Sequence, residues 1–186
     1  LCEWSAAAGS LANLQRARAH GCPWGVPASV AAARGKHLEV LQFLRAAGCP
    51  WSAEVCVRAA ANGDLAMLAW SRVNGCPLTN RCANVAATGG FLEVLQWLRA
   101  NGCPWDRATT FAAASEGHLE LLEWLRAAGC PWDATVCSGA AGRGQLEVLQ
   151  WARAHGCPWT STTCLQARVN KQSPAVLQWI HAHGCP

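Results

Sequence analysis

The chain has 186 residues, 52% of them hydrophobic and only 14% charged, a core-building composition that excludes a disordered chain. Its 12 Cys, 11 Trp and 17 Gly come with no Tyr, and Pro, Gly or charge interrupts every stretch long enough to cross a bilayer as a helix. The net charge of +4, with a pI near 8.5, falls short of the basicity that by itself argues for nucleic acid.

The first residue is Leu, and no basic stretch leads into an apolar one, so no targeting segment can be read. The tripeptide Gly-Cys-Pro begins at Gly21, Gly48, Gly75, Gly102, Gly129, Gly156 and Gly184, at one constant interval except for a single extra position before the last. The period divides the chain into units 2–28, 29–55, 56–82, 83–109, 110–136, 137–163 and 164–186, one repeat array over 1–186. After each inner Gly-Cys-Pro comes Trp24, Trp51, Leu78, Trp105, Trp132 or Trp159, then Gly25, Ser52, Thr79, Asp106, Asp133 or Thr160. All but Gly25 carry a side-chain oxygen that caps a helix N-terminus, so a helix A is predicted to start there. It runs through an Ala-Ala pair such as Ala113 and Ala114 and ends at a turn marked by Gly63, Gly89, Gly117 or Gly144.

Helix B opens on Leu11, Leu38, Leu65, Leu92, Leu119 or Leu146 and closes at the next Gly-Cys-Pro, whose Gly suits the left-handed C′ position. On the helix B wheel Leu92, Val94, Leu95, Trp97 and Leu98 cover more than half the circumference. An arc that wide needs neighbours on both sides and helix A beneath, which a stack advancing about 10 Å per unit supplies.

Taken in chain order, the units differ on the outward arc of helix A. The first carries Trp4, and on its helix B Asn13 and Arg16 replace apolar residues, the polar face of a terminal cap. The following A helices carry Arg34, with Lys36 at the turn; Glu54, Arg58 and Asn62; Arg81, Val85 and Thr88; Ala112, Ser115 and Glu116; Thr135 and Arg143; and Gln166, Val169 and Asn170. The last unit is irregular, with Arg168 in place of an Ala and one inserted residue in its turn at Lys171 to Pro174. The opposite arc, a small residue at unit position one plus the Ala-Ala pair, hardly changes. Packing explains the sameness and not the spread, so Trp4, Arg34, Lys36, Glu54, Arg58, Asn62, Arg81, Val85, Thr88, Glu116, Arg143 and Gln166 are the candidate partner-binding residues. Residues 1–82 hold eight Lys or Arg against four Asp or Glu, whereas 83–186 hold seven of each. Arg34, Arg58 and Arg81, on successive A helices, then form a basic patch suited to an acidic protein surface.

Residues that invite chemistry have plainer readings. Loop cysteines of successive units lie about 10 Å apart, beyond the roughly 7 Å Cα separation a disulfide tolerates. With Cys2, Cys56, Cys137 and Cys164 at a shared inward position, the cysteines read as small buried hydrophobes, reduced and metal-free. Thiol richness without a disulfide framework implies a reducing intracellular compartment and argues against secretion. His155, His181 and His183 lie in or just after the last turn of helix B and complement its dipole; Cys-x-x-Cys and His-x-x-x-His are both absent, so neither a metal nor a cofactor is implied. Both Trp rows read as core, each loop ring filling space between adjacent units, which excludes a stacking platform for nucleic acid. The row Arg18, Arg45, Arg72, Arg99, Arg126 and Arg153 recurs in every unit and reads as structural. Glu39, Glu93, Glu120 and Glu147 recur without Ser, His or Asp partners, so no catalytic set is present and the chain is not an enzyme.

The run AAxxGHLEVLQWLRAxGC, most complete around Ala113 to Cys130 and Ala86 to Cys103, resembles the ankyrin repeat, and the resemblance covers all seven units. No unit has the family's Thr-Pro-Leu-His start, and the stretch from the loop Gly to Ala-Ala is about six residues shorter than in a 33-residue repeat. The resemblance implies an all-α solenoid of stacked helix–turn–helix repeats with β-hairpin fingers shortened or absent, similar to short ankyrin-like arrays of giant viruses and unicellular algae. It also implies a small buried residue at the loop Cys, a concave groove lined by the A helices, and non-catalytic protein–protein binding as a scaffold. A permanently bound structural subunit of a larger complex is the alternative.

Overall fold

The computed structural model describes residues 2–169 and 173–185. Asn170 and Lys171, assigned above to the variable arc and the last turn, lie outside the described residues. The A helices are α1 (Cys2–Ala7), α3 (Val26–Arg34), α5 (Glu54–Ala61), α7 (Asn80–Thr88), α9 (Arg107–Glu116), α11 (Ala134–Arg143) and α13 (Ser161–Val169). The B helices are α2 (Leu11–Ala19), α4 (Leu38–Ala46), α6 (Leu65–Val73), α8 (Leu92–Ala100), α10 (Leu119–Ala127), α12 (Leu146–Ala154) and α14 (Pro174–Ala182). Among the described residues there is no strand, and the loops from B to A are six or seven residues long. The β-hairpin fingers are absent.

The chain divides into two compact units. In Leu1–Cys82 with Gln96–Cys103, α1 packs on α3 and α3 on α5, each against its own B helix, α2, α4 or α6. In Ala83–Leu95 with Pro104–Pro186, α9 packs on α11 and α11 on α13, again each against its B helix, α10, α12 or α14. The Ala-Ala pairs at Ala59, Ala86, Ala113 and Ala140 are fully buried, and their small size lets neighbouring A helices approach closely. Leu41, Leu68, Leu95, Leu122 and Leu149 supply the fully buried bulk on the B helices.

The helix starts follow the expected chemistry. The Asp106 carboxylate accepts from the Ala108 N–H at 2.8 Å while Thr109 Oγ1 accepts from the Asp106 N–H, a capping box. Asp133 accepts from the Thr135 hydroxyl and from its N–H at 2.9 Å, and these bonds hold its carboxyl below the usual carboxylate range. Ser52 accepts from the Glu54 N–H at 3.3 Å.

The Gly-Cys-Pro tripeptide is a helix-ending device. Its seven glycines all have φ between +68 and +87. In the second repeat the Gly48 N–H reaches the Arg45 carbonyl at 3.1 Å and the Cys49 N–H the Leu44 carbonyl at 2.8 Å, a Schellman ending of helix B. The cysteine at C″ turns inward, and the proline after it prevents the helix from resuming. Its thiol then donates to the carbonyl that opens helix A of the same helix pair: Cys49 to Gly25 at 3.4 Å and Cys157 to Asp133 at 3.3 Å.

The turn from A to B uses a left-handed residue as well, Gly9, Gly63, Gly90, Gly117 or Gly144. At Gly90 a Cβ would also come within 2.7 Å of the His118 ring. That closeness reflects a tie between repeats: His118 Nε2 sits 3.0 Å from the Thr88 carbonyl, as His37 does from Ala7, and Gln145 donates to Ser115 at 3.4 Å. The side chain after the turn thus satisfies an orphan carbonyl of the preceding A helix. In the second repeat Lys36 holds the left-handed place, at φ +62. Lys36→Gly should therefore raise stability by about 0.5–1 kcal/mol in urea unfolding, because glycine reaches this region without the Cβ clash. An unchanged midpoint would show that Lys36 is unstrained.

Candidate partner-binding surface

The arginine and tryptophan rows belong to the scaffold. Each loop Trp is half-buried. The guanidinium of Arg18 lies 4.5 Å from the centre of the Trp24 ring, that of Arg45 4.6 Å from Trp51, and that of Arg153 4.3 Å from Trp159. The other contact is edge-on with a ring of the following B helix, Trp24 with Phe43 at 6.0 Å and Trp51 with Trp70 at 5.8 Å. The loop ring is therefore clamped between the B helices of successive repeats. His155 and His183 stack on Trp151 and Trp179 at 4.2 and 4.3 Å, their Nδ1 atoms against the carbonyls of those same residues. Among the described residues no group of three or more His, Cys, Asp or Glu gathers at metal-binding distance, and no helix is long and apolar enough to cross a membrane.

The candidate residues lie on or beside the A helices, where each compact unit carries a cavity. In the first, a cavity of about 360 Å³ is lined by Glu3, Val26, Val30, Arg34, Ser52 and Glu54. In the second, one of about 240 Å³ is lined by Phe111, Ser115, Gly139, Gly142, Arg143 and Gln166. Room for the latter comes from glycine: a Cβ at Gly139 would stand 2.5 Å from Ser115 Oγ and 2.7 Å from the Phe111 ring. The Ser115 hydroxyl is buried there and has no hydrogen-bond partner.

Trp4 is 81% exposed, and Arg34, Lys36, Arg81, Thr88, Arg143 and Gln166 are exposed, while Val85 is half-buried. Three assignments carry chemistry the sequence did not reveal. Glu54 binds Arg58 and Arg81, both at 2.7 Å, so a half-buried carboxylate interrupts the basic patch. Asn62 donates to the Ala33 carbonyl at 2.9 Å and so ties repeats together. Arg143 is paired with Glu116 at 3.5 Å. Glu3, Phe111 and Thr162 line the cavities and were missed; Phe111, an apolar residue exposed on the variable arc, was the one detectable signal. Of the large hydrophobic residues exposed among those described, Trp4, Phe111, Leu165 and Val169 lie on A helices, and Val73 alone lies on a B helix.

The expectation that all thiols are reduced is corrected. Cys164 and Cys185 form a disulfide with a Cα separation of 6.4 Å. Like positions in successive repeats stand too far apart to bond, whereas this bond joins the helix A and loop positions of one repeat. At this pair, thiol richness without a framework no longer holds as a sign of the compartment. Cys49, Cys56, Cys76, Cys137 and Cys157 are buried, as small inward residues should be.

No family model matches the sequence, and no curated protein matches it. Among solved structures the chain is similar to the crystal structure of human ASB11 ankyrin repeat domain, with a TM-score of 0.72 and 18% identity over 100% of this chain and 98% of that one. The chain has the ankyrin-repeat fold, an all-α solenoid of stacked helix–turn–helix repeats.

Proposed function

We propose that the chain is a non-catalytic scaffold that binds another protein through the outward arcs of its A helices, read as one array over 1–186. The observation that carries this reading is the concentration of exposed Trp4, Phe111, Leu165 and Val169 on A helices, beside cavities lined by Arg34 and by Arg143 with Gln166. Exposed aromatic residues accompanied by arginine are enriched at protein interfaces. Arg34, with the exposed Arg81 and Arg143, favours an acidic partner surface, although Glu54 and Glu116 offset part of that charge. We place the protein in a reducing intracellular compartment, where the buried Cys49, which faces Ser29, stays a thiol.

The test compares two charge reversals by affinity capture from the native source. Arg34→Glu, Arg81→Glu and Arg143→Glu together alter the A helices, and Arg58 is spared because its Nε is buried. Glu120→Lys with Glu147→Lys alters exposed positions on B helices as a control. The captured proteins should be retained by the control, lost by the A-helix variant, and increasingly lost by the wild type as salt rises. Equal capture by both variants would transfer the reading to a permanent structural subunit held by other faces.

A further inference from the structure

Five helix pairs, each taken with its flanking loop as one repeat, carry a second cysteine near the start of helix A, and in each it stands 20 or 21 residues before the loop cysteine that follows helix B: Cys2 and Cys22, Cys56 and Cys76, Cys82 and Cys103, Cys137 and Cys157, Cys164 and Cys185. The last pair is bonded. Cys2 with Cys22, Cys56 with Cys76 and Cys137 with Cys157 stand in the same register, allowing for the residue inserted in the last repeat, while Cys82 stands one residue before the corresponding place, which Ala83 holds. Cys2 Sγ lies 3.7 Å from the Cys22 carbonyl and Cys137 Sγ 3.9 Å from that of Cys157. Cys76 Sγ donates to the Ser52 carbonyl at 3.5 Å, and Cys103 Sγ donates to the Thr79 carbonyl at 3.3 Å, with Cys82 Sγ 3.9 Å from the Thr79 hydroxyl. In the second repeat the helix position is Ser29, whose hydroxyl meets Cys49 Sγ at 3.4 Å; in the fifth it is Thr110, whose hydroxyl donates to the Pro131 carbonyl at 2.9 Å. Every cysteine outside Gly-Cys-Pro therefore has a loop cysteine opposite it in its own repeat.

We infer that the five within-repeat cysteine pairs are cystine sites, closed by exchange with a small-molecule disulfide, and that each bond clips helix A to the loop after helix B. The pairs lie on the inward arc, so the inference does not rest on the binding reading. The neighbouring partner thiol holds one sulfur of each pair below the usual thiol range: Cys22, Cys76 and Cys157 in the loops, and Cys82, which falls to about 6. As a thiolate that sulfur attacks one sulfur of glutathione disulfide and expels a glutathione thiolate. The second cysteine gives up its proton, attacks the mixed disulfide and expels the other glutathione. The dithiol loses two protons and two electrons, and the outside disulfide becomes two thiols.

The full chain, reduced, freed of reductant and kept folded, is incubated with glutathione disulfide, then unfolded in urea at low pH, alkylated and mapped by mass spectrometry. The expected result is loss of alkylation at all ten paired cysteines, with Cys49 still fully alkylated. Tm should rise by at least about 5 °C and return with dithiothreitol. Cystines between repeats, such as Cys76 with Cys103, overturn the inference; so do glutathione adducts that go no further, thiols that all stay alkylatable, or a Tm that does not rise. In Cys76→Ser the Cys56 thiol should stay alkylatable while the other four cystines form; a cystine from Cys56 to any other residue is equally fatal.

Discussion

Trp132→Ala is expected to lower the free energy of unfolding by about 3 kcal/mol, the lower end of the range for removing a large aromatic side chain, because this ring is half-buried. The ring loses two partners: the Arg126 guanidinium 4.5 Å from its centre and the Trp151 edge at 5.9 Å. Trp132→Leu should recover most of the loss, since Leu78 fills the same place in another repeat. A double-mutant cycle with Arg126→Ala isolates the cation–π share, expected at about 0.5–1 kcal/mol. Urea unfolding followed by circular dichroism checks all three. A loss under about 1 kcal/mol for Trp132→Ala would mean that the ring does not join successive repeats.

Leu122→Ala should cost about 3–4 kcal/mol, because Leu122 is fully buried on α10 and alanine leaves a cavity that surrounding helices fill only partly. The neighbouring Glu123 is exposed, and Glu123→Ala should change stability by no more than about 0.5 kcal/mol. In a stacked array each repeat depends on its neighbours, so Leu122→Ala should also broaden the unfolding transition as the damaged repeat opens first. Equal effects from the two substitutions would contradict the assigned inner face of helix B.

The periodic parts of this structure were legible in advance. Helix pairs, the caps at Asp106 and Asp133, the left-handed glycine before each loop cysteine and the two arcs of helix A follow from spacing and local backbone chemistry, which each unit states again. What escaped depends on how two helices of one repeat, or two neighbouring repeats, meet. Arg18 and Trp24 share a constant offset with Arg45 and Trp51, yet only the fold of the loop places guanidinium over ring. The Cys164–Cys185 bond crosses a helix pair, so the spacing between like positions of successive repeats does not reveal it. At the candidate surface, Arg81 and Glu54 lie one full period apart in the chain, so their pairing at 2.7 Å needed the stacking geometry as well as the residue types. Asn62 looked like an exposed variable residue; its side chain is consumed by the Ala33 carbonyl.

Three of the ties between and within repeats recur at fixed offsets before the inserted residue: six residues from arginine to loop ring, twenty-four from loop thiol to the carbonyl opening helix A, and thirty from turn side chain to the preceding A helix. Excising or duplicating exactly one period of the chain leaves each offset intact across the joint, wherever the cut falls. Unequal recombination between repeats that carry the same tie residues can therefore change copy number without orphaning a donor, an acceptor or a ring, whereas a joint that sets Arg45 before Leu78 loses a ring. Inheritance acts on this fold by the cassette, and the row of A helices lengthens or shortens one helix at a time.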